Sequence, residues 1–415
     1  MKKTVVELFA GVGGFRVGLN KVQLIDGITT ELGQWDFVWA NQWEPGKTNQ
    51  YAFDCYQKRF GVSENHVNKD IAQIDKKTLP DHDLLVGGFP CQDYSVARSL
   101  KGEKGIEGKK GVLFWDIISI AEVKKPSFLL LENVDRLLKS PSKQRGRDFG
   151  IMLRSLNDLG YNAEWRVINA ADYGFAQRRR RVYIFAWKKT TKYNERVQGN
   201  SILFLSQLSL NASSFPIDSK SIDKVKYIDI DDSIYTDTVD MTSRFTFNFE
   251  NCGCCINGRI STFHAESVGE NPIPFIKIID KNPIDKSLYL TPIQIEKFRY
   301  LKGKKRVERL RTDGNKYFFS EGGMDFPDNL EKPSRTMLTS ERSINRSTHV
   351  IEDPVTMSLR FITPIEAERL QNFPDNWTNT GMPDKARYFM MGNALVTGVI
   401  QRYESQLCNI FDNEE

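Results

Sequence analysis

The stretch Thr4-Val5-Val6-Glu7-Leu8-Phe9-Ala10-Gly11-Val12-Gly13-Gly14-Phe15 decides the fold. It begins as a short run with β-branched residues, passes through three glycines in four positions, and continues into Phe15–Val22 with apolar residues at helical spacing. A strand that enters a helix through a glycine-rich turn is the first unit of an open α/β sheet. Glycines let the backbone approach a ligand closely, and a helix start offers free N–H groups to an anionic moiety. The loop therefore suits a nucleotide-like cofactor, without selecting which one.

Outward from that unit, Phe37–Ala40, Asp83–Gly87, Ser127–Leu131, Glu164–Ile168 and Val182–Trp187 read as further strands. Amphipathic segments at Val112–Val123 and Phe149–Leu159 alternate with them, the second stopped by Gly160. This alternation predicts a doubly wound, mainly parallel α/β sheet covered on both faces. After Lys189 the alternation is lost in Ser/Asn/Asp-rich loops, and helical pattern returns at Thr363–Gln371 and Ala394–Leu407. Three parts are expected: a catalytic and cofactor-binding domain over 1–189, a smaller irregular domain inserted over 190–350, and helices over 351–415 that return to the first.

The chain has 415 residues, 40% hydrophobic and 27% charged, which excludes collagen-like, mainly disordered and disulfide-scaffold classes. No uncharged run approaches the ~20 apolar residues that span a bilayer, so a soluble, cytosolic protein is expected. Net charge is only +5, but nine Lys/Arg lie between Glu296 and Lys316, and Arg178–Arg181 is followed by Lys188, Lys189 and Lys192. Such clusters suit a polyanion, although a solvated face explains either one equally well. The cysteines at 55, 91, 252, 254, 255 and 408 form no disulfide framework. Cys252-Gly253-Cys254-Cys255 has only His264 nearby and no second pair at zinc-ligand spacing, so no metal is expected.

Several segments carry chemistry. Gly87-Gly88-Phe89-Pro90-Cys91-Gln92 follows a strand, placing Cys91 at the sheet edge where α/β enzymes hold catalytic groups. A thiolate there is a strong nucleophile. Residues 100–111 contain four glycines and four lysines, a composition that suits a basic lid over a phosphate backbone. Glu132 ends the next strand, where partial desolvation raises a carboxyl pKa towards the range of a useful proton donor. Strand alternation sends Arg179 and Arg181 to one face, and Arg178 and Arg180 to the other. Trp43, at the end of the second strand, offers an aromatic plane to an adenine, and Asp70-Ile71 follows where a third loop reaches the same edge. Core packing is the plainer explanation of Trp43 alone.

Taken in order, these motifs resemble the DNA (cytosine-5) methyltransferase family of the bacterial restriction-modification type. Phe9–Gly14 resembles its S-adenosylmethionine loop, Pro90-Cys91-Gln92 its nucleophile motif, Glu132-Asn133-Val134 its acid motif, and Gln177–Arg181 its paired-arginine motif. Pro333–Thr339 and Gly392–Val396 match its two C-terminal motifs. The resemblance implies that Cys91 attacks carbon 6 of a flipped-out cytosine, Glu132 serves ring nitrogen 3, and Arg179 and Arg181 orient base and acid. It implies a cofactor site of Phe9, Ala10, Gly11, Gly13, Gly14, Trp43, Asp70, Ile71, Pro90, Leu113 and Asn393, with S-adenosyl-L-methionine as methyl donor. Gln92, Ser95, Arg98 and Lys101 are the implied contacts to double-stranded DNA, and 190–350 the implied target recognition domain. A monomer is expected, cytoplasmic and nucleoid-associated, that protects host DNA from a cognate restriction endonuclease.

Gln42 stands where the family usually has an acidic residue, so either Gln42 or Glu44 is left to meet the cofactor ribose. Phe245–Gly258 and Tyr317–Asp325 look similar to members that methylate GGNCC/GGWCC-type sites. Among competing classes, a tRNA methyltransferase of the same family does not need so large a middle insert. A non-catalytic DNA-binding module needs none of Cys91, Glu132, Arg179 and Arg181. A nicotinamide-dependent oxidoreductase leaves Cys91 unexplained, and amino-group methylation calls for an Asp/Asn-Pro-Pro-aromatic run rather than Pro-Cys.

Overall fold

The computed structural model describes residues 2–89, 113–197, 199–282, 284–310 and 314–414. In chain order the first part comprises β1 (Thr4–Leu8), α1 (Gly14–Leu19), the hairpin β2 (Gln23–Ile25) and β3 (Ile28–Thr30), β4 (Asp36–Asn41), α2 (Tyr51–Phe60) and β5 (His66–Val67). There follow β6 (Leu84–Gly88), α3 (Phe114–Lys124), β7 (Phe128–Val134), α4 (Arg147–Asp158), β8 (Tyr161–Asn169) and β9 (Arg180–Lys188). The middle holds the short helices α5 (Ser201–Leu203), α6 (Leu210–Ser214) and α7 (Thr238–Arg244), strands β10 (Val225–Asp229), β11 (Cys252–Ile256) and β12 (Arg259–Phe263), and α8 (Pro292–Lys302). The chain closes with two hairpins, β13 (Lys305–Leu310) with β14 (Lys316–Glu321) and β15 (Val350–Glu352) with β16 (Leu359–Phe361), and with α9 (Pro364–Leu370), α10 (Asp384–Asn393) and α11 (Thr397–Asn413).

One sheet of ten strands organises the molecule, in the order β10-β12-β11-β8-β9-β7-β6-β1-β4-β5. From β7 to β5 neighbours run parallel; from β7 outward through β9 they run antiparallel. The chain moves one way from β1 through β4 to β5, then returns to the other side of β1 with β6. That reversal opens a crevice at the carboxyl ends of β1 and β6, the place where open α/β sheets bind ligands.

Side chains alternate between two cores, as a sheet buried on both faces requires. On β7, Leu129 and Leu131 pack with Ile117, Phe149 and Leu153 of α3 and α4 on one face. Phe128 and Leu130 pack with Val399, Tyr403 and Phe411 of α11 on the other. The expected helix at Ala394–Leu407 thus exists, begins three residues later, and lies against α1: a Cβ on Gly18 would stand 2.5 Å from Ile400 Cβ.

Two expectations need correcting. The change of texture at Lys189 does not end the sheet. β10–β12 extend it, because the β8 edge needs a hydrogen-bonding partner and 225–263 supplies three more antiparallel strands. Much of the segment 245–258 is consequently interior: Phe245, Phe249, Cys252, Cys254 and Cys255 are buried, and Thr246, Asn248 and Asn257 are its exposed residues. The three thiols also diverge, Cys252 and Cys254 into one core and Cys255 into the other. Burial pushes Cys252 up to about 11 and Cys255 to about 12, so they are inert packing groups. No described helix is long and apolar enough to cross a membrane.

Candidate active site

Glu132 stands at the carboxyl end of β7, directly opposite Gly88 of β6. A Cβ on Gly88 would lie 3.1 Å from Glu132 Oε2, so the bare glycine leaves the carboxylate its room. Arg181 Nε pairs with Glu132 Oε1 at 2.8 Å from the adjacent strand β9. Burial raises the Glu132 pKa, while Arg181 and Arg179 pull it back. The carboxyl is thereby held between two demands: a site dry enough to keep a proton, and cations that favour the anion.

The arginine run alternates as expected. Arg178 and Arg180 are exposed, Arg179 is buried, and Arg181 faces inward on Glu132. Arg179 does not bond Glu132. Its guanidinium donates to Met337 O at 3.1 Å and Gly392 O at 3.0 Å, tying β9 to both C-terminal motifs. Its Nε has no partner among the described residues, and burial with Arg181 nearby lowers its pKa to about 9.

The glycine loop is fastened to the ends of β4 and β5. Phe9 leaves β1 with φ 54°, a left-handed turn rare for a phenylalanine, and Gly11 and Gly13 follow at φ 56° and 90°. Ala10 N–H donates to Asn41 O (2.9 Å), and Gly11 N–H to Gln42 Oε1 (2.8 Å). Asn68 donates in turn to Gln42 O. Gly14 lies against Leu395, so the Gly392–Val396 motif backs the loop. Trp43 is 37% exposed at the end of β4, which removes the core-packing explanation and leaves its ring available. Asp70 caps the turn at Ile71–Gln73 by accepting from Ala72 N–H, and Ile71 is buried. Leu113 begins α3 half-buried, and Asn393 is exposed at the end of α10. An S-adenosyl group fits this setting: glycines without side chains, an available indole plane, and the half-buried Glu44.

Pro90, Cys91, Gln92, Ser95, Arg98 and Lys101, with the rest of 90–112, lie outside the described residues. Three residues given no role in the sequence reading prove structural to the site. Asn133 donates to Phe89 O (2.9 Å), fixing the end of β6 to the acid loop. Gln177 is fully buried, donating to Leu370 O and accepting from Met337 N–H. Glu7 is buried beneath the glycine loop, accepting from Phe15 N–H and Tyr56 OH. Each adjoins or sits within a quoted motif, which is the only signal the sequence carried. A groove of about 560 Å³ lies elsewhere, lined by Val22, Ile278 and Phe373, and includes none of the glycine loop, Glu132 or Arg181.

A doubly wound sheet with a glycine loop at its switch point and an arginine-clamped carboxylate two strands away is the setting of an α/β enzyme with a nucleotide-like cofactor at the carboxyl edge of its strands. The family model for C-5 cytosine-specific DNA methylases matches residues 3–409, and the chain belongs to that family. It is 53% identical over 412 residues to the Type II methyltransferase M.Sau3AI of Staphylococcus aureus, covering 98% of this chain and 95% of that one. M.HhaI of Haemophilus parahaemolyticus is 34% identical over 183 residues, 44% of this chain and 48% of its own. Among solved structures, the S. pombe Dnmt2 methyltransferase superposes with a TM-score of 0.57 at 14% identity over 99% of both chains, which shows a shared fold. The protein is a DNA (cytosine-5) methyltransferase of the type II restriction-modification kind, and its family and fold imply S-adenosylmethionine as methyl donor.

Proposed function

We propose that the chain methylates carbon 5 of a flipped-out cytosine within a short duplex DNA sequence through a covalent adduct of Cys91. The observation that carries this reading is the Arg181–Glu132 pair on the strand beside the one that leads to Cys91, with Asn133 joining the two. The Cys91 thiolate adds to carbon 6 of the cytosine, and Glu132 hydrogen-bonds or protonates nitrogen 3 as electron density moves onto the ring. S-adenosylmethionine, when bound, supplies an electrophilic methyl group to carbon 5. Loss of the carbon 5 proton to a base then expels Cys91 and restores the ring. Arg181 orients Glu132, and Arg179 holds the C-terminal motifs against it. Extrusion of the base costs a few kcal/mol, which phosphate contacts from the segment 97–111 and the basic patches offset, with Gln92, Ser95, Arg98 and Lys101 as contacts to the DNA.

For the cofactor, Gln42 is committed to Gly11, so Glu44 is the group for the ribose hydroxyls, with Trp43 against the adenine, Asp70 and Ile71 beside it, and Phe9, Ala10, Pro90, Leu113 and Asn393 completing the walls. Burial raises the Glu44 pKa, as expected of a carboxylate awaiting a hydrogen-bond donor. The biological role is protection of host DNA from a cognate endonuclease, by a cytoplasmic, nucleoid-associated monomer whose recognition part lies within 190–350.

Transfer of a tritiated methyl group from S-adenosylmethionine to unmethylated duplex DNA tests the chemistry. Label in cytosine with wild type and none with Cys91→Ser is expected. Equal label from both would exclude Cys91 as nucleophile, and label in tRNA alone would exclude the DNA substrate.

A further inference from the structure

The basic cluster at 296–316 does not form one patch. Lys302 is buried and paired with Asp328 at 2.9 Å, while Arg299 pairs with Glu296 and Lys316 with Glu308. Of the others, Lys305, Arg306 and Arg309 ride on β13 of the β13–β14 ribbon. In its antiparallel register Arg306, Glu308, Leu310, Lys316, Phe318 and Ser320 share one face, on which Glu308 neutralises Lys316 and Arg306 is left as the cation, and Lys305, Val307, Arg309, Tyr317, Phe319 and Glu321 share the other. On the second face Tyr317 and Phe319 are half-buried while Val307 and Arg309 are exposed, with Arg309 3.9 Å over the Phe319 ring. The first is open to solvent throughout, with Leu310 69% and Phe318 58% exposed. Arg306 lies 4.5 Å over the Phe318 ring, and this stacking limits its rotamers.

A two-stranded ribbon is one of the two elements that fit the major groove of B-DNA. A rotamer-limited arginine matches the O6/N7 edge of guanine, and exposed apolar groups match the thymine methyl. A stacked arginine beside an exposed aromatic and an exposed leucine offers both the cationic and the apolar contacts that a duplex takes up. The ribbon is also anchored to the catalytic sheet. Met324 N–H donates to Lys302 O, and Lys302 pairs with Asp328. Asp328 pairs with Arg335 at 2.7 Å, and the backbone of neighbouring Ser334 brackets Ala176 and Arg178. A reader placed on this ribbon therefore has a fixed relation to Arg179 and Glu132.

We propose that the exposed face of β13–β14 reads base edges in the major groove, with Arg306, steadied by Phe318, as a specificity-determining donor to guanine. This rests on the DNA methyl-transfer reading above. The test is bisulfite sequencing of plasmid DNA treated with wild type, Arg306→Ala, Phe318→Ala and Arg309→Ala, with S-adenosylhomocysteine affinity and thermal midpoint recorded for each to show that it is folded. Arg309→Ala removes the same charge from the same strand on the opposite face. Wild type and Arg309→Ala are expected to modify one sequence context. Arg306→Ala and Phe318→Ala are expected to relax one position of it by roughly 5- to 150-fold in discrimination. An unchanged context in folded Arg306→Ala, or equal relaxation in Arg309→Ala, overturns the assignment. An equal drop in rate at every site with the context intact also overturns it, since that reports phosphate contact alone. No protected cytosine with wild type would instead remove the methyl-transfer reading on which the assignment stands.

Discussion

At Glu132 desolvation and two guanidinium groups act in opposite senses, and the balance keeps a proton within reach of the anion. Glu132→Gln retains the shape and can still meet a ring nitrogen, but it cannot take up or give a proton. Transfer is expected to fall roughly 10²- to 10⁴-fold while S-adenosylhomocysteine binding by calorimetry is unchanged. Glu7 answers differently. Burial holds its pKa at about 7, against 4.5 for an ordinary glutamate, so the native state binds this proton more tightly than the unfolded chain. The associated stability is complete below about 4.5 and is lost as pH rises through about 7, an effect on the order of 3 kcal/mol. The thermal midpoint of wild type relative to Glu7→Gln should therefore decline from pH 5 to pH 8. A constant difference would show that Glu7 is ionised throughout.

Between elements, contact distance decides the outcome. A methyl group on Gly18 would meet Ile400 Cβ at 2.5 Å and Thr397 O at 2.7 Å across the α1–α11 contact. Gly18→Ala is expected to cost about 1–3 kcal/mol in denaturant unfolding, against little for Ala at Gly322, where an added Cβ meets nothing within 4 Å. This contact also marks where sequence stops being informative. The six early strands announced themselves because each buries a continuous or alternating apolar run, and β7 does so for four residues before Glu132. β10 to β12 did not, since Gly253 and the cysteines fill β11 and Arg259 and Ser261 break the apolar pattern of β12. The inward turn of Arg179 and Arg181 followed from strand alternation. The partners of Arg179 did not, because Met337 and Gly392 lie 158 and 213 residues away.

On the scale of the whole molecule, the C-terminal part packs against the glycine loop instead of forming an appendage. Trp377 is fully buried against Phe60 and Phe373, and its Nε1–H donates to Val12 O in the glycine loop. Trp377→Ala should cost about 3–5 kcal/mol of stability and weaken S-adenosylhomocysteine binding in the same preparation. Stability loss with unaltered affinity would separate the fold from the loop. The 365-residue separation of Trp377 and Val12 has a consequence for synthesis. At ribosomal elongation rates of about 5–20 residues per second, the loop emerges tens of seconds before the indole that fixes it. A nascent chain therefore carries the glycine loop before it carries the indole that fastens it, and the loop takes its final setting only after translation has passed residue 377.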